Sequence, residues 1–149
     1  MKLDDAGYRL ITDFEGFSAK PYLDVVKIPT IGFGNTYFPD GRRVTLLDDP
    51  ITREYAVEIF KVIADRFALR VSKLLVKQVS QHQFNALASI AYNIGMGNFG
   101  GSTLLKKVNA NPNDLTIAAE FKKWNKSGGK VFQGLVNRRQ KESDLYFAK

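Results

Sequence analysis

The chain has 149 residues, no cysteine and a formal net charge of +7. This length suffices for one domain with its own hydrophobic core, and the lack of cysteine excludes thiol catalysis and disulfide bonds while suiting a reducing cytoplasm. No apolar run approaches the roughly 18 residues of a membrane span, and Asp4 and Asp5 lie where a signal peptide would place its apolar stretch, so we expect no export signal.

The first predicted element is a helix from about Asp4 to Phe14. Apolar residues recur there at helical spacing, and the two aspartates lie in the first turn, where the helix dipole favours negative charge. Glu15 falls at the carboxyl end of this helix. The carbonyl dipoles there disfavour a negative charge and would help to keep its carboxyl protonated.

Residues 20 to about 47 are rich in β-branched and aromatic side chains interrupted by turn signals. This pattern predicts a small antiparallel sheet of two or three strands. Its hairpins would bring Asp24 and Thr30 close together across a turn.

The rest of the chain is predicted to be helical. Thr52 caps a long helix that ends near Lys77 and is long enough to join two lobes. Ser80 and Gln83 form a capping box for a helix that is apolar on most sides and ends at Gly95.

The glycine-rich stretch 95–101 lacks the Gly-Lys-Ser/Thr ending and the preceding strand of a phosphate loop, so we interpret it as a tight turn between helices. Further helices are predicted at 102–108, at 113–124 and from 132 or 134 to 147, separated by Asn-Pro and Ser-Gly-Gly signals.

Together these elements predict one α+β domain over residues 1–149. A small antiparallel β lobe covers about 16–48, and a larger all-helical lobe covers 52–149 together with the N-terminal helix. The long helix joins the two lobes.

Two carboxylates and a hydroxyl are spaced as expected for cleavage of a glycosidic bond. Eight residues separate Glu15 from Asp24, and Thr30 opens the run Thr30-Ile31-Gly32-Phe33-Gly34. Two carboxyl groups in different environments can divide this work, because one donates a proton and the other activates water or attacks the sugar. His82 is the single histidine, so we expect neither a metal site nor a Ser-His-Asp triad.

These motifs resemble the phage-type lysozymes, a glycoside hydrolase family that cuts peptidoglycan between N-acetylmuramic acid and N-acetylglucosamine. The resemblance is carried by Glu15-Gly16-Phe17, Tyr22-Leu23-Asp24, the run from Thr30 to Gly34, Ala91-Tyr92-Asn93-Ile94-Gly95, Ser102-Thr103-Leu104-Leu105, and Gly134-Leu135-Val136-Asn137-Arg138-Arg139 with Glu142. It covers most of the chain and implies a lysozyme-like fold.

The resemblance also implies roles for individual residues. Glu15 would donate the proton, Asp24 would stay ionised and activate water, and the Thr30 hydroxyl would hold that water, with inversion at the anomeric carbon. Arg138 would reach back to Glu15 and orient its carboxyl. Arg139 and Glu142 are expected to form a structural pair on one helix.

Phe33 and Asn35 lie on later positions of the predicted hairpins, where a sugar ring could stack or hydrogen-bond, although aromatic residues in a sheet more often pack. Tyr92 and Ser102 match positions that line the saccharide groove of this family, although a buried aromatic residue and a helix cap would explain them equally well. The chain also departs from the family pattern at two places. Lys27 stands where a glycine is common, so the turn after Asp24 is expected to differ in type, and Asn35 stands where many members have histidine.

The leading hypothesis is an endolysin, an N-acetylmuramidase that needs no cofactor or metal and acts as a monomer on bacterial peptidoglycan. It would accumulate in the host cytoplasm and depend on a holin-type membrane protein to reach the wall. A lytic transglycosylase and a non-catalytic wall-binding module are the alternatives.

The charge is unevenly distributed along the chain: −3 over residues 1–60, +4 over 61–100 and +6 over 101–149. A cationic half would be attracted to an anionic polymer such as the wall, or would simply be a solubilising surface. Only this charge suggests nucleic acid, which we do not expect as a partner.

Overall fold

The computed structural model describes residues 1–149 and confirms the α+β class. Its elements in chain order are α1 Asp5–Glu15, β1 Ser18–Leu23, β2 Pro29–Gly32, α2 Arg53–Leu74, α3 Gln81–Ile94, α4 Met96–Gly100, α5 Thr103–Ala110, α6 Ile117–Lys122, β3 Lys126–Ser127, β4 Lys130–Val131 and α7 Gln133–Tyr146. None of the helices combines the length and apolar character needed to cross a membrane.

The chain divides into two compact units. Unit 1 comprises residues 1–10 and 67–149, and unit 2 comprises residues 11–66. The division falls within α1 and within α2, so both helices contribute residues to each unit.

Unit 2 is built on the antiparallel pair β1–β2. Tyr22 lies opposite Thr30 in this ladder, and the register shifts between Ser18 and Tyr22. A cluster of buried apolar side chains supports the sheet and the loop that follows it, and Ile51 packs against it. The cluster consists of Ile31, Phe38, Val44 and Ile59.

Unit 1 is organised around α3, which packs against α7, and α7 also packs against α6. The predicted capping box is confirmed: Ser80 Oγ accepts from the Gln83 backbone N–H at 3.1 Å, and the Gln83 side chain accepts from the Ser80 N–H at 2.9 Å. Every residue from Phe84 to Ala91 is buried, which explains why this helix is apolar on most sides. Gly95 ends it with a φ of 89°.

A buried ion cluster holds α7 to α3. Glu142 accepts from Ser89 Oγ at 2.5 Å and pairs with Arg139 Nε at 2.6 Å and Arg138 Nε at 3.6 Å. The predicted Arg139–Glu142 pair is therefore confirmed. Burial raises the pKa of Glu142, and the two guanidinium groups oppose that rise.

The predicted turn at 95–101 is wrong, because Met96–Gly100 forms the short helix α4. Its Phe99 side chain is fully buried, and this anchor stabilises a helical turn despite the glycines. Of the glycines in this stretch only Gly95 takes a positive φ, so Gly97 and Gly100 do not break the helix.

Two predicted helix boundaries are also wrong. Side chains bind the backbone before α6, where Asn111 accepts from the Asn113 N–H and Asp114 from the Thr116 N–H, so the helix begins at Ile117 instead of 113. The long helix α2 ends at Leu74 instead of near 77, where the Asn109 side chain donates to its carbonyl oxygen.

Candidate active site

Glu15 is the last residue of α1, as predicted, and its carboxylate lies against the backbone of Gly34. Gly34 has a φ of 80°, and a Cβ placed on it would stand 2.6 Å from Glu15 Oε2. No other residue type could occupy this position without displacing the carboxylate. Gly34, the last residue of the Thr30–Gly34 run, therefore leaves the space that the Glu15 carboxylate occupies.

Asp24 is held by the turn that connects β1 to β2. Its Oδ1 accepts from the backbone N–H groups of Val26 and Ile28, both at 2.9 Å, and the Asp24 N–H donates to the Ile28 carbonyl at 3.1 Å. These bonds fix the orientation of the carboxylate. The second oxygen, Oδ2, receives no hydrogen bond from the protein.

The same turn contains the one non-glycine residue with a positive φ. Lys27 has a φ of 63° and donates its N–H to the Asp24 carbonyl at 2.9 Å. Lys27 thus takes the left-handed backbone that suits a glycine, so the lysine does not prevent a positive φ at this position.

Thr30 is buried directly opposite Tyr22 in the β1–β2 ladder. Its Oγ1 donates to the Ile28 carbonyl at 2.9 Å. Because the hydroxyl proton is already used, Thr30 can only accept a hydrogen bond from a bound molecule.

Tyr22 connects these groups electrostatically. Partial burial raises the pKa of its phenol, and the negative charges of Glu15 and Asp24 raise it further. Both carboxylates therefore lie close enough to influence one tyrosine. The structure brings Glu15, Asp24 and Thr30 together in unit 2, around this side chain.

Phe33 and Asn35, which were predicted to contact saccharide, are both about 2% exposed. The Phe33 ring packs between Phe17 and Phe60, with centroid distances of 5.5 and 5.8 Å. Asn35 forms a two-way backbone bridge with Ile31, with N to O distances of 2.9 Å. In this structure both residues shape the loop from inside and offer little surface to a sugar.

The other predicted site residues, Tyr92, Ser102 and Arg138, belong to unit 1. The Tyr92 ring packs on Phe67 at 5.3 Å. Ser102 is a buried N-cap of α5, where it accepts from the Leu105 N–H and donates to a backbone carbonyl. Arg138 is buried beside Glu142. The predicted interaction of Arg138 with Glu15 stays a prediction.

Comparison with known proteins identifies the family of the chain. A family model described as phage lysozyme matches residues 12–142. The chain belongs to the phage lysozyme family. It is 44% identical to the endolysin of Bacillus phage PZA over 98% of this chain and 55% of that protein, and 34% identical to the endolysin of Salmonella phage P22 over 99% of both. The chain thus spans about half the length of the Bacillus phage relatives that it matches.

Solved structures show the same fold. The endolysin of Escherichia coli O157:H7 phage FAHEc1 superposes with a TM-score of 0.89 at 35% identity, covering 99% of this chain and 94% of that one. The muramidase domain of SpmX from Asticaccaulis excentricus gives 0.85 at 28% identity over 99% of both chains.

Two residues beside these positions were not singled out from sequence as candidate site residues. Gly34 was quoted only as part of a motif, and Tyr22 only as a neighbour of Asp24. The available signals were the closeness of Tyr22 to Asp24 in the sequence and a second glycine two residues after the first.

Proposed function

We propose that this chain is a muramidase that hydrolyses the β-1,4 bond between N-acetylmuramic acid and N-acetylglucosamine in peptidoglycan. The main support is the pairing within one unit of Glu15, seated against Gly34, with Asp24, oriented by two backbone N–H groups. Family membership and the endolysin names of the relatives support the same conclusion.

Glu15 acts in this proposal as the general acid. A sugar alkoxide is a poor leaving group, so the glycosidic oxygen must be protonated as the bond breaks. Glu15 is the last residue of α1, and its carboxyl lies against the backbone of Gly34, which fixes the position of the proposed acid. Arg138, if it reaches Glu15 as predicted, orients the group.

Asp24 and Thr30 hold the attacking water. Asp24 Oδ2 has no donor in the protein, so it can accept one hydrogen of the water. Thr30 Oγ1 has used its own proton on Ile28, so it can accept the other hydrogen. With both hydrogens engaged, an oxygen lone pair is left to face the anomeric carbon. This arrangement supports inversion, in which water attacks directly.

The products of purified peptidoglycan test the reaction. We expect new reducing ends on muramic acid, and anhydro ends would instead establish a lytic transglycosylase. Glu15→Gln should remove roughly 100- to 10,000-fold of the activity with an unchanged melting temperature, because an amide of the same shape cannot supply the proton. Activity within about threefold of the parent would exclude Glu15 as the acid.

The stereochemistry tests the role of Asp24 separately. NMR of the first sugar released from a defined oligosaccharide should show the α-anomer, as direct attack by water inverts the β-bond. An initial β-anomer would make Asp24 a nucleophile.

We also propose a role in phage-induced lysis, since the relatives named above are endolysins. Access to the wall would then require a holin-type membrane-permeabilising protein. Cells expressing this chain alone should stay intact and should lyse when such a protein is co-expressed. Equal lysis without it would remove that dependence.

A further inference from the structure

Three polar side chains lie around the proposed reaction centre: Asp24, Thr30 and Tyr22. The structure shows which of them can still donate a hydrogen bond to a bound molecule. Asp24 as a carboxylate can only accept. Thr30 donates its single proton to Ile28. The Tyr22 hydroxyl, in contrast, makes no hydrogen bond within the protein, and the residue is 38% exposed.

The β1–β2 ladder fixes where Tyr22 stands. Its Cα is paired with that of Thr30, so the two side chains leave the sheet on the same face. Asp24 comes directly after the end of β1, and its charge acts on the Tyr22 phenol together with that of Glu15. Tyr22 therefore stands beside the two groups that hold water in the proposed mechanism.

We propose that Tyr22 is a substrate-binding residue whose phenol O–H donates a hydrogen bond to an oxygen of the sugar on which Glu15 and Asp24 act. The acceptor would be a hydroxyl or acetamido oxygen of an N-acetylated amino sugar. This inference rests on the proposed muramidase function and deepens it by adding a donor to the site.

The local charge explains why a tyrosine suits this position. Sugar oxygens need donors, whereas an ionised Asp24 beside Glu15 offers mainly acceptors. A lysine would pair with the carboxylates and favour their ionised forms, and an ionised Glu15 has no proton to donate. The phenol is neutral, and the two carboxylates together with partial burial raise its pKa, so it keeps its proton at neutral pH. Tyr22 can thus donate without neutralising either catalytic group.

The test is Tyr22→Phe, which removes the hydroxyl and keeps the ring. Tyr55→Phe is the matched control, because Tyr55 is 42% exposed and also belongs to unit 2. On a soluble tetrasaccharide of alternating N-acetylmuramic acid and N-acetylglucosamine, Tyr22→Phe should lower kcat/KM roughly 10-fold, the upper range for a single hydrogen bond. Tyr55→Phe should leave it unchanged, and both should melt like the parent.

Binding separates substrate contact from an indirect effect. In a Glu15→Gln background, which should bind without cleaving, Tyr22→Phe should weaken tetrasaccharide affinity by a similar factor. Equal kcat/KM and equal affinity for the tyrosine and phenylalanine proteins would overturn the inference, since the ring alone would then suffice. A loss confined to melting temperature would also overturn it, because it would indicate a structural role.

Failure of the proposed function would look different. If the parent releases no muramic acid reducing ends, the proposed muramidase function is wrong, and the proposed role of Tyr22 is lost with it. If the parent releases them while the Tyr22→Phe protein is equally active, only the role of Tyr22 is lost.

Discussion

At Gly34 the backbone approaches the Glu15 carboxylate more closely than any side chain would permit. Gly34→Ala would place a methyl group 2.6 Å from Oε2, so either the carboxylate or the loop must move. We expect wall lysis to fall at least tenfold, because even a small displacement of Glu15, the proposed acid, lowers the reaction rate strongly. The rate should be measured well below the melting temperature of the variant.

Gly41→Ala is the control for this substitution. Gly41 also has a positive φ, 90°, but a methyl group there would meet no atom within 4 Å. Both alanines carry the strain of a left-handed backbone, about 1–2 kcal/mol, so both should lower the melting temperature. Only Gly34→Ala should lose lysis, and an equal loss in both variants would mean that strain alone is responsible.

At the residue scale, the sequence predicts a candidate site where local spacing carries the information. Glu15, Asp24 and Thr30 stand out because their separations are fixed along one short stretch, and the structure places all three in unit 2. Phe33 was misleading, since an aromatic residue in a strand looks the same from sequence whether its ring faces solvent or, as here, packs between two other rings. Burial depends on residues far away in the chain.

Among the elements, the β1–β2 turn carries a measurable strain at Lys27. A non-glycine residue in the left-handed region costs about 1–2 kcal/mol, and glycine loses about 0.5–1 kcal/mol more chain entropy on folding. Lys27→Gly should therefore raise the free energy of unfolding by about 0.5–1 kcal/mol, measured by urea denaturation. Lys27→Ala keeps the strain and should show no gain. A glycine variant less stable than the parent would mean that the lysine side chain contributes more than its backbone costs.

The β3–β4 hairpin shows why some short elements could not be predicted from the sequence. Gly128 and Gly129 take φ values of 58° and 81°, which suit a two-residue hairpin turn. The sequence was interpreted there as a break between helices, because two residues on either side give too little alternation to indicate strands. Capped helices such as α3 were predicted to within a residue, since both ends carry their own signals.

The α3–α7 contact depends on Glu142, which is fully buried with its arginine partners. Glu142→Gln should lower the free energy of unfolding by roughly 3–5 kcal/mol, because Arg138 and Arg139 then keep buried charges without that carboxylate. Arg42→Gln is the control. Its ion pair with Asp48 lies at the surface, where solvent screens the attraction, so its loss should change stability far less. Similar losses in both variants would contradict the importance of burial.

At the scale of the whole molecule, charge is divided between the two units. Unit 1 carries 15 basic and 6 acidic side chains, a net charge of +9, and unit 2 carries 7 and 9, a net charge of −2. The proposed catalytic carboxylates therefore belong to the acidic unit, while the excess positive charge, which would attract a polyanion, resides in the other. Exposed lysines of the β3–β4 hairpin, Lys126 and Lys130, are part of that basic surface.

This division predicts that salt affects a polymeric substrate more than a short one. Attraction between an extended anionic wall and unit 1 acts over distances comparable with the Debye length, about 10 Å at 0.1 M salt and about 3 Å at 1 M. Raising salt over this range should reduce lysis of purified walls several-fold while changing cleavage of a soluble tetrasaccharide much less. Replacing Lys126 and Lys130 by glutamate should weaken wall lysis at low salt and flatten its salt dependence, with tetrasaccharide cleavage unchanged. If wall and tetrasaccharide activities fall in parallel as salt rises, the excess charge of unit 1 serves solubility and contributes nothing to recruitment.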